Sequence, residues 1–228
     1  MPGPAEPAKM KRAQTGAHLQ YWGCADKEVP GLNVTTVILT GGRSSRMGRD
    51  KGALPVEGGT LLERGVERWR NVFGGVAVAV GTEERPLPAG VPALFDLHPG
   101  AGPMAGLEAA LTALKGDAVF LTAVDMPFGD EGLARLLAGR MGEADVCIIR
   151  RTDRRVEPLF ALYRRTCLPV VTRSLEEGRR YFVKGLFPFV TVAYVDEGEL
   201  TGFDLERSLF NANRPEEWEK ARTLLKEE

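Results

Sequence analysis

The chain has 228 residues, 43% hydrophobic and 27% charged, with 30 Lys and Arg against 31 Asp and Glu for a formal net charge of −1. That length suits one globular domain with a short appendage, and the ordinary composition excludes a fibrous or wholly disordered chain. The balanced charge argues against a protein that blankets nucleic-acid phosphates, so any local basic cluster needs a local explanation.

Residues 1–33 carry Pro2, Pro4, Pro7, Gly16, Gly23, Pro30 and Gly31 without apolar periodicity. They read as a flexible N-terminal extension, and residues 34–228 as a single domain. Val34 to Thr40 is β-branched and largely apolar, as a strand buried on both faces should be. After a glycine-rich loop, Thr60 and Glu63 form a capping box ahead of Leu62, Val66, Trp69 and Phe73, which are spaced along one helical face. Apolar Val76–Val80 and Ala93–Phe95 follow as strands, then a helix whose Met104, Leu107, Leu111 and Leu114 share one side. Ala118–Val124 is a further buried strand, and a helix carries Leu133, Leu136 and Leu137. Strands are expected at Val146–Ile149, Leu159–Tyr163 and Val190–Val195. Pro215 opens a last helix, with Glu216 and Glu217 at its positive end. Strand and helix alternate throughout, which implies an α/β three-layer sandwich with a mostly parallel sheet.

Cys24, Cys147 and Cys167 form no CxxC pair, so no zinc site or disulfide framework is signalled and a reducing compartment fits. Lys11 and Arg12 are followed by polar sequence rather than a signal core, and apolar runs are short, so the expected location is the cytoplasm, with no membrane and no nucleic acid as partners. The 2 histidines, His18 and His98, are too few for a multi-histidine metal site. Chemistry must therefore rest on carboxylates, cations and backbone amides.

The stretch Leu39-Thr-Gly-Gly-Arg-Ser-Ser-Arg-Met-Gly-Arg-Asp-Lys51 suits a polyphosphate. Gly41, Gly42 and Gly48 let backbone amides approach phosphate oxygens, while Arg43, Arg46, Arg49 and Lys51 supply countercharge. It has neither the Walker nor the GxGxxG spacing. Taken alone, a solvated turn would have the same composition. Leu121-Thr-Ala-Val-Asp-Met-Pro127 puts Asp125 just past the end of a buried strand, where open α/β sheets present ligand-binding groups. A carboxylate there would hold Mg2+ against a nucleotide α-phosphate. The alternative is that Asp125 caps the next helix.

The first of these strings resembles the signature of the molybdenum cofactor guanylyltransferase family: leucine, a small residue, Gly-Gly, then Ser-x-Arg-Met-Gly and Asp-Lys. The resemblance covers about residues 34–220 and implies a nucleotide-diphospho-sugar-transferase-like fold. It further implies a Mg2+-dependent enzyme that moves GMP from GTP onto molybdopterin or Mo-molybdopterin. Lys51, Arg46 and Asp125 would be catalytic, with Asp125 the metal ligand. Leu39, Thr40, Gly41, Gly42, Lys51, Asp96, Gly102, Pro103, Gly106 and Asp125 would bind the nucleotide. Adjacent glycines at 41 and 42 are the family's purine-accepting pattern, since a side chain there would crowd the base. Val124 stands where related enzymes usually have cysteine.

Ala79 stands where many family members have an asparagine, so a base or ribose hydrogen bond must come from elsewhere. Glu157–Tyr163 resembles the strand lining the acceptor side. Arg179, Arg180, Asn211 and Asn213 would bind the acceptor, although helix ends and caps use the same residue types. Three other readings stay open. The chain would be a cytidylyltransferase of the same fold, a sugar-phosphate nucleotidyltransferase, or a non-catalytic module that hands cofactor on. Transient contact with other cofactor-biosynthesis proteins or apo-molybdoenzymes is compatible with each.

Overall fold

A computed structural model of the chain describes residues 31–40 and 51–227. Its strands are β1 (Val34–Leu39), β2 (Pro55–Val56), β3 (Gly59–Thr60), β4 (Val76–Gly81), β5 (Ala93–Phe95), β6 (Ala118–Ala123), β7 (Val146–Arg150), β8 (Val156–Arg164) and β9 (Val192–Asp196). Seven of these form one sheet in the order β5-β4-β1-β6-β8-β7-β9, and β2 pairs with β3 as a small antiparallel ribbon. The pairs β1–β4, β1–β6, β4–β5 and β7–β9 are parallel, whereas β8 runs against both β6 and β7. Ile38, Phe120, Cys147, Phe160 and Leu162 point to one face of the sheet, and Val37, Leu39, Ala79, Val119, Leu121 and Ile148 to the other.

Helices cover both faces, giving the three-layer α/β sandwich implied by the alternating pattern. On one side lie α1 (Leu61–Trp69), α3 (Glu131–Arg140) and α6 (Pro215–Leu225). The other side carries α2 (Pro103–Ala113) and α4 (Leu168–Glu176), while α5 (Leu205–Ser208) is a single turn near the start of α6. Helix α1 starts where expected: Glu63 N donates to Thr60 Oγ1 at 3.2 Å, and Thr60 N donates to Glu63 Oε2 at 2.7 Å. A Cβ at Gly59 would sit 2.6 Å from that carboxylate, so the cap itself requires glycine there. The helix ends at Trp69, before Phe73, yet Phe73 stays buried. Trp69 and Phe160 flank Phe120, with ring centroids at 5.0 and 4.9 Å. Removing the Phe120 ring would cost about 3–5 kcal/mol.

Three features depart from the sequence pattern. Residues Met104 to Leu111 are buried all round, because α2 is enclosed between the sheet and α4 rather than lying on the surface with one apolar side. Helix α4 itself has no expectation behind it; Pro169 at its start and β-branched Val170, Val171 and Thr172 mask its period. The last strand begins at Val192, since Thr191 turns its N–H and hydroxyl to Asp145. Among the described residues no helix is long and apolar enough to cross a membrane.

Candidate nucleotide and acceptor site

Register brings the carboxyl ends of β1 and β6 level, with Leu39 opposite Ala123. The chain leaves β6 in a tight turn: Val124 N bonds Leu39 O at 3.0 Å and Met126 N bonds Ala123 O at 3.0 Å. Asp125 stands at the tip of this turn. Its backbone carbonyl accepts from Ala212 N at 2.8 Å, which ties the loop before α6 to the end of β6. That loop is fixed in turn by Glu217, whose carboxylate accepts from the N–H groups of Asn213 and Arg214 at 2.8 and 2.9 Å.

Lys51 opens a 3-10 turn (Lys51–Ala53), and its ammonium meets both segments. Nζ lies 2.6 Å from Asp125 Oδ2 and 2.9 Å from Asn213 Oδ1. Lys51 and Asp125 are 16% and 15% exposed, a partly buried pair in which Coulomb attraction is less screened than at an open surface. The helix-cap alternative for Asp125 does not hold, because Asp130 caps α3 by accepting from Leu133 N at 2.8 Å. A shallow cleft beside the turn, on the α1 side, is lined by Arg64, Arg68, Trp69, Met126 and Pro127.

The oxygens around Lys51 are a carboxylate and an amide carbonyl, both hard donors suited to a magnesium ion. Among the described residues, no group of three or more His, Cys, Asp or Glu side chains is arranged to hold a metal. One carboxylate with a neighbouring amide is too little for an all-protein cage. It does fit a cation that arrives on phosphate oxygens and keeps several waters.

Other expected residues are spread along the same rim. Asp96 follows β5, its N–H bonded to Gly81 O at 2.9 Å. Burial, and then the nearby Glu108 carboxylate, raise the Asp96 carboxyl above its ordinary value of 3.8. Gly102 sits ahead of α2 at φ +74, with Pro103 in the first turn. Gly106 belongs to the packing between layers: a Cβ there would lie 2.5 Å from Leu39 Cδ2 and 3.3 Å from Ala79 Cβ. The Leu39 side chain is thus under α2, and Thr40 gives both its N–H and its hydroxyl to Ala79 O, at 3.0 and 2.9 Å. Ala79 is itself buried between sheet and helix.

The two arginines expected on the acceptor side differ. Arg179 is engaged locally, paired with Glu177, 3.4 Å from Ser174 Oγ, and stacked 5.1 Å from the centre of the Phe189 ring. Arg180 is exposed and reaches Gly100 O at 3.4 Å, so it borders the loop that carries Asp96. Asn213 joins Lys51, whereas Asn211 bonds back to Leu209 O at 3.1 Å. Gly41, Gly42 and Arg46 lie outside the described residues, as do Arg43, Gly48 and Arg49.

Sequence reasoning missed Glu108, His98 and Thr172, which form a cluster behind Asp96. The signal for Glu108 was available: a lone carboxylate inside the apolar run Met104–Leu111.

Residues 36–189 match the family described as MobA-like NTP transferase domain. Over 194 residues the chain is 36% identical to a probable molybdenum cofactor guanylyltransferase of Pelotomaculum thermopropionicum, covering 85% of this chain and 94% of that protein. A protein of the same description from Carboxydothermus hydrogenoformans is 32% identical over 189 residues, covering 82% and 94%. The crystal structure of molybdopterin-guanine dinucleotide biosynthesis protein A from Archaeoglobus fulgidus superposes with a TM-score of 0.71 at 24% identity, covering 85% of this chain and 100% of that one.

Proposed function

The chain belongs to the MobA-like NTP transferase family and is a nucleotidyltransferase of molybdenum cofactor biosynthesis, and we propose that it transfers GMP from GTP to the terminal phosphate of molybdopterin. The observation that carries this reading is the meeting of Lys51, Asp125 and Asn213 at the carboxyl ends of β1 and β6.

A terminal phosphate oxygen of molybdopterin attacks the α-phosphorus of GTP. The new P–O bond forms as the bond between the α-phosphorus and the bridging oxygen breaks, and pyrophosphate leaves with that electron pair. The attacking oxygen is already anionic, so no general base is needed. What the protein supplies is position and countercharge. Asp125, with Asn213 beside it, would hold Mg2+, which when bound neutralises charge on the phosphates. Lys51 moves its ammonium from the carboxylate to the phosphate oxygens, and Arg46 in the glycine-rich loop adds countercharge. Asp96 and the Gly102–Pro103 turn border the base and ribose, and Arg180 faces the anionic end of the acceptor. Adjacent Gly41 and Gly42 are the pattern that the sequence resemblance associates with a purine, since side chains at those positions would crowd a larger base.

The test incubates the purified full chain with molybdopterin, Mg2+ and each of GTP, CTP, ATP and UTP, reading dinucleotide and pyrophosphate. GTP is expected to give the guanine dinucleotide with equimolar pyrophosphate. Preference for CTP, or no dinucleotide with any nucleotide, rejects the proposal.

A further inference from the structure

Glu108 is 1% exposed, on a helix otherwise apolar from Met104 to Leu111, and the transfer step described above makes no use of it. Both carboxylate oxygens are taken. Oε2 lies 2.6 Å from His98 Nδ1, and Oε1 accepts from Thr172 Oγ1 at 2.7 Å. The carboxylate is thus held from two sides, by an imidazole and by a hydroxyl.

The two partners come from different places. His98 lies in the connection between β5 and α2, two residues after Asp96 and before the Gly102–Pro103 turn. Thr172 lies on α4, whose C-terminal end passes into Arg179 and Arg180. Ser174, half a turn further along α4, accepts the Arg179 N–H at its carbonyl at 2.7 Å and gives its hydroxyl to Gly185 O. A Cβ at Gly185 would lie 3.0 Å from the Arg179 carbonyl, so this turn has little freedom. Arg180 closes the circuit by reaching Gly100 O. The loop 96–102 and the α4 segment are therefore joined at two points, one internal through Glu108 and one at the rim through Arg180.

Packing alone does not explain a carboxylate here. Replacing a whole buried polar cluster by apolar side chains of similar volume is often neutral or stabilising, so apolar residues at 108 and 172 together would serve the core at least as well. What the carboxylate adds is direction, since it fixes a loop on one side and a helix on the other through two oriented hydrogen bonds.

We infer that Glu108 is a positioning residue for the transfer: through His98 and Thr172 it sets the spacing between the loop that presents Asp96 to the nucleotide and the helix that presents Arg180 to the acceptor. This rests on the assignment of nucleotide and acceptor to those two segments. Small displacements between reacting groups carry large penalties, about 10²-fold for about 1 Å, so the effect shows in substrate use and not in folding alone.

The experiment compares wild type with Glu108→Met and Glu108→Gln in the full-length protein. It measures thermal melting, GTP binding by calorimetry, and KM and kcat for both substrates from pyrophosphate release. Glu108→Met leaves Thr172 Oγ1 and His98 Nδ1 without their partner, so it is expected to melt below wild type, and KM for GTP and for molybdopterin is expected to rise about tenfold or more. Glu108→Gln, which can still bond both partners, is expected to stay within about threefold of wild type. His98 and Thr172 each bond Glu108 and share no hydrogen bond with each other, so linkage through Glu108 predicts that the double variant His98→Ala, Thr172→Val loses little more than either single one. Wild-type KM values in Glu108→Met, whatever its melting temperature, overturn the inference alone. A wild-type chain that binds no GTP overturns the functional assignment beneath it, and this inference with it.

Discussion

Lys51 and Asp125, 74 positions apart in the chain, meet at 2.6 Å, and the same ammonium reaches Asn213, 162 positions away, at 2.9 Å. A cation coordinated by Asp125 at about 2.0–2.1 Å would compete with this ammonium for the same oxygens. Lys51→Met is therefore expected to lower kcat by about 10²–10³, as loss of a preorganised charge partner does elsewhere. The same variant should bind Mn2+ more tightly than wild type in the absence of nucleotide, as read by electron paramagnetic resonance. Unchanged Mn2+ affinity would show that ammonium and metal use different oxygens.

Asp96 offers a pH test. Burial and the neighbouring Glu108 raise its carboxyl in the folded protein above 3.8. Over the interval from 3.8 up to the raised value the folded state binds more protons than the unfolded one, so this group's contribution to stability falls as pH rises through that interval. At neutral pH the wild type carries the cost of an ionised, half-buried carboxylate. Asp96→Asn should thus melt higher than wild type at pH 7 and lose that advantage below the interval, while binding GTP more weakly. Melting curves that differ equally at pH 7 and in acid would remove Asp96 as the source.

Gly106 and Leu39 test the packing beneath the site. A methyl at 106 would lie 2.5 Å from Leu39 Cδ2, the far end of a buried leucine side chain. Gly106→Ala is expected to cost about 1–3 kcal/mol in urea unfolding. Combining it with Leu39→Ala should cost clearly less than the sum of the two single changes. Simple additivity would mean that α2 shifts away instead of the leucine turning.

Arg179 and Arg180 should separate in a kinetic comparison. With its guanidinium held by Glu177, Ser174 and the Phe189 ring, Arg179→Ala is expected to lower the melting temperature more than it changes KM. Arg180→Ala should raise KM for the acceptor about tenfold or more with little change in melting, the usual size for loss of a charged hydrogen bond. The reverse pattern would assign the anion to Arg179.

Much of this fold is legible in the sequence because its strands are short and β-branched and its helices carry strong local signals. The Thr60–Glu63 cap and Pro215 with Glu217 each mark a helix start from a handful of residues. Helix α2 is harder, since burial on every side erases the periodicity that betrays a surface helix. Nor does the reversal of β8 show in its composition; a strand buried between two neighbours has the same residues whichever way it runs. Lys51 and Asp125 stand out as chemistry at strand ends, but the place of Asn213 beside them depends on the path of the chain through the rest of the sheet. Glu108 was visible only as an oddity, because its meaning lies in partners from two other segments.

The bond from Ala212 N to Asp125 O has a consequence for the order in which the molecule is made. The seven-stranded sheet is complete in sequence at Asp196, the end of β9. Ala212 and Asn213 leave the ribosome later. Until then the growing polypeptide can pair every strand, yet the turn at Asp125 lacks its backbone donor and Lys51 its second oxygen, so this corner cannot take its final shape before the chain has been made through Asn213.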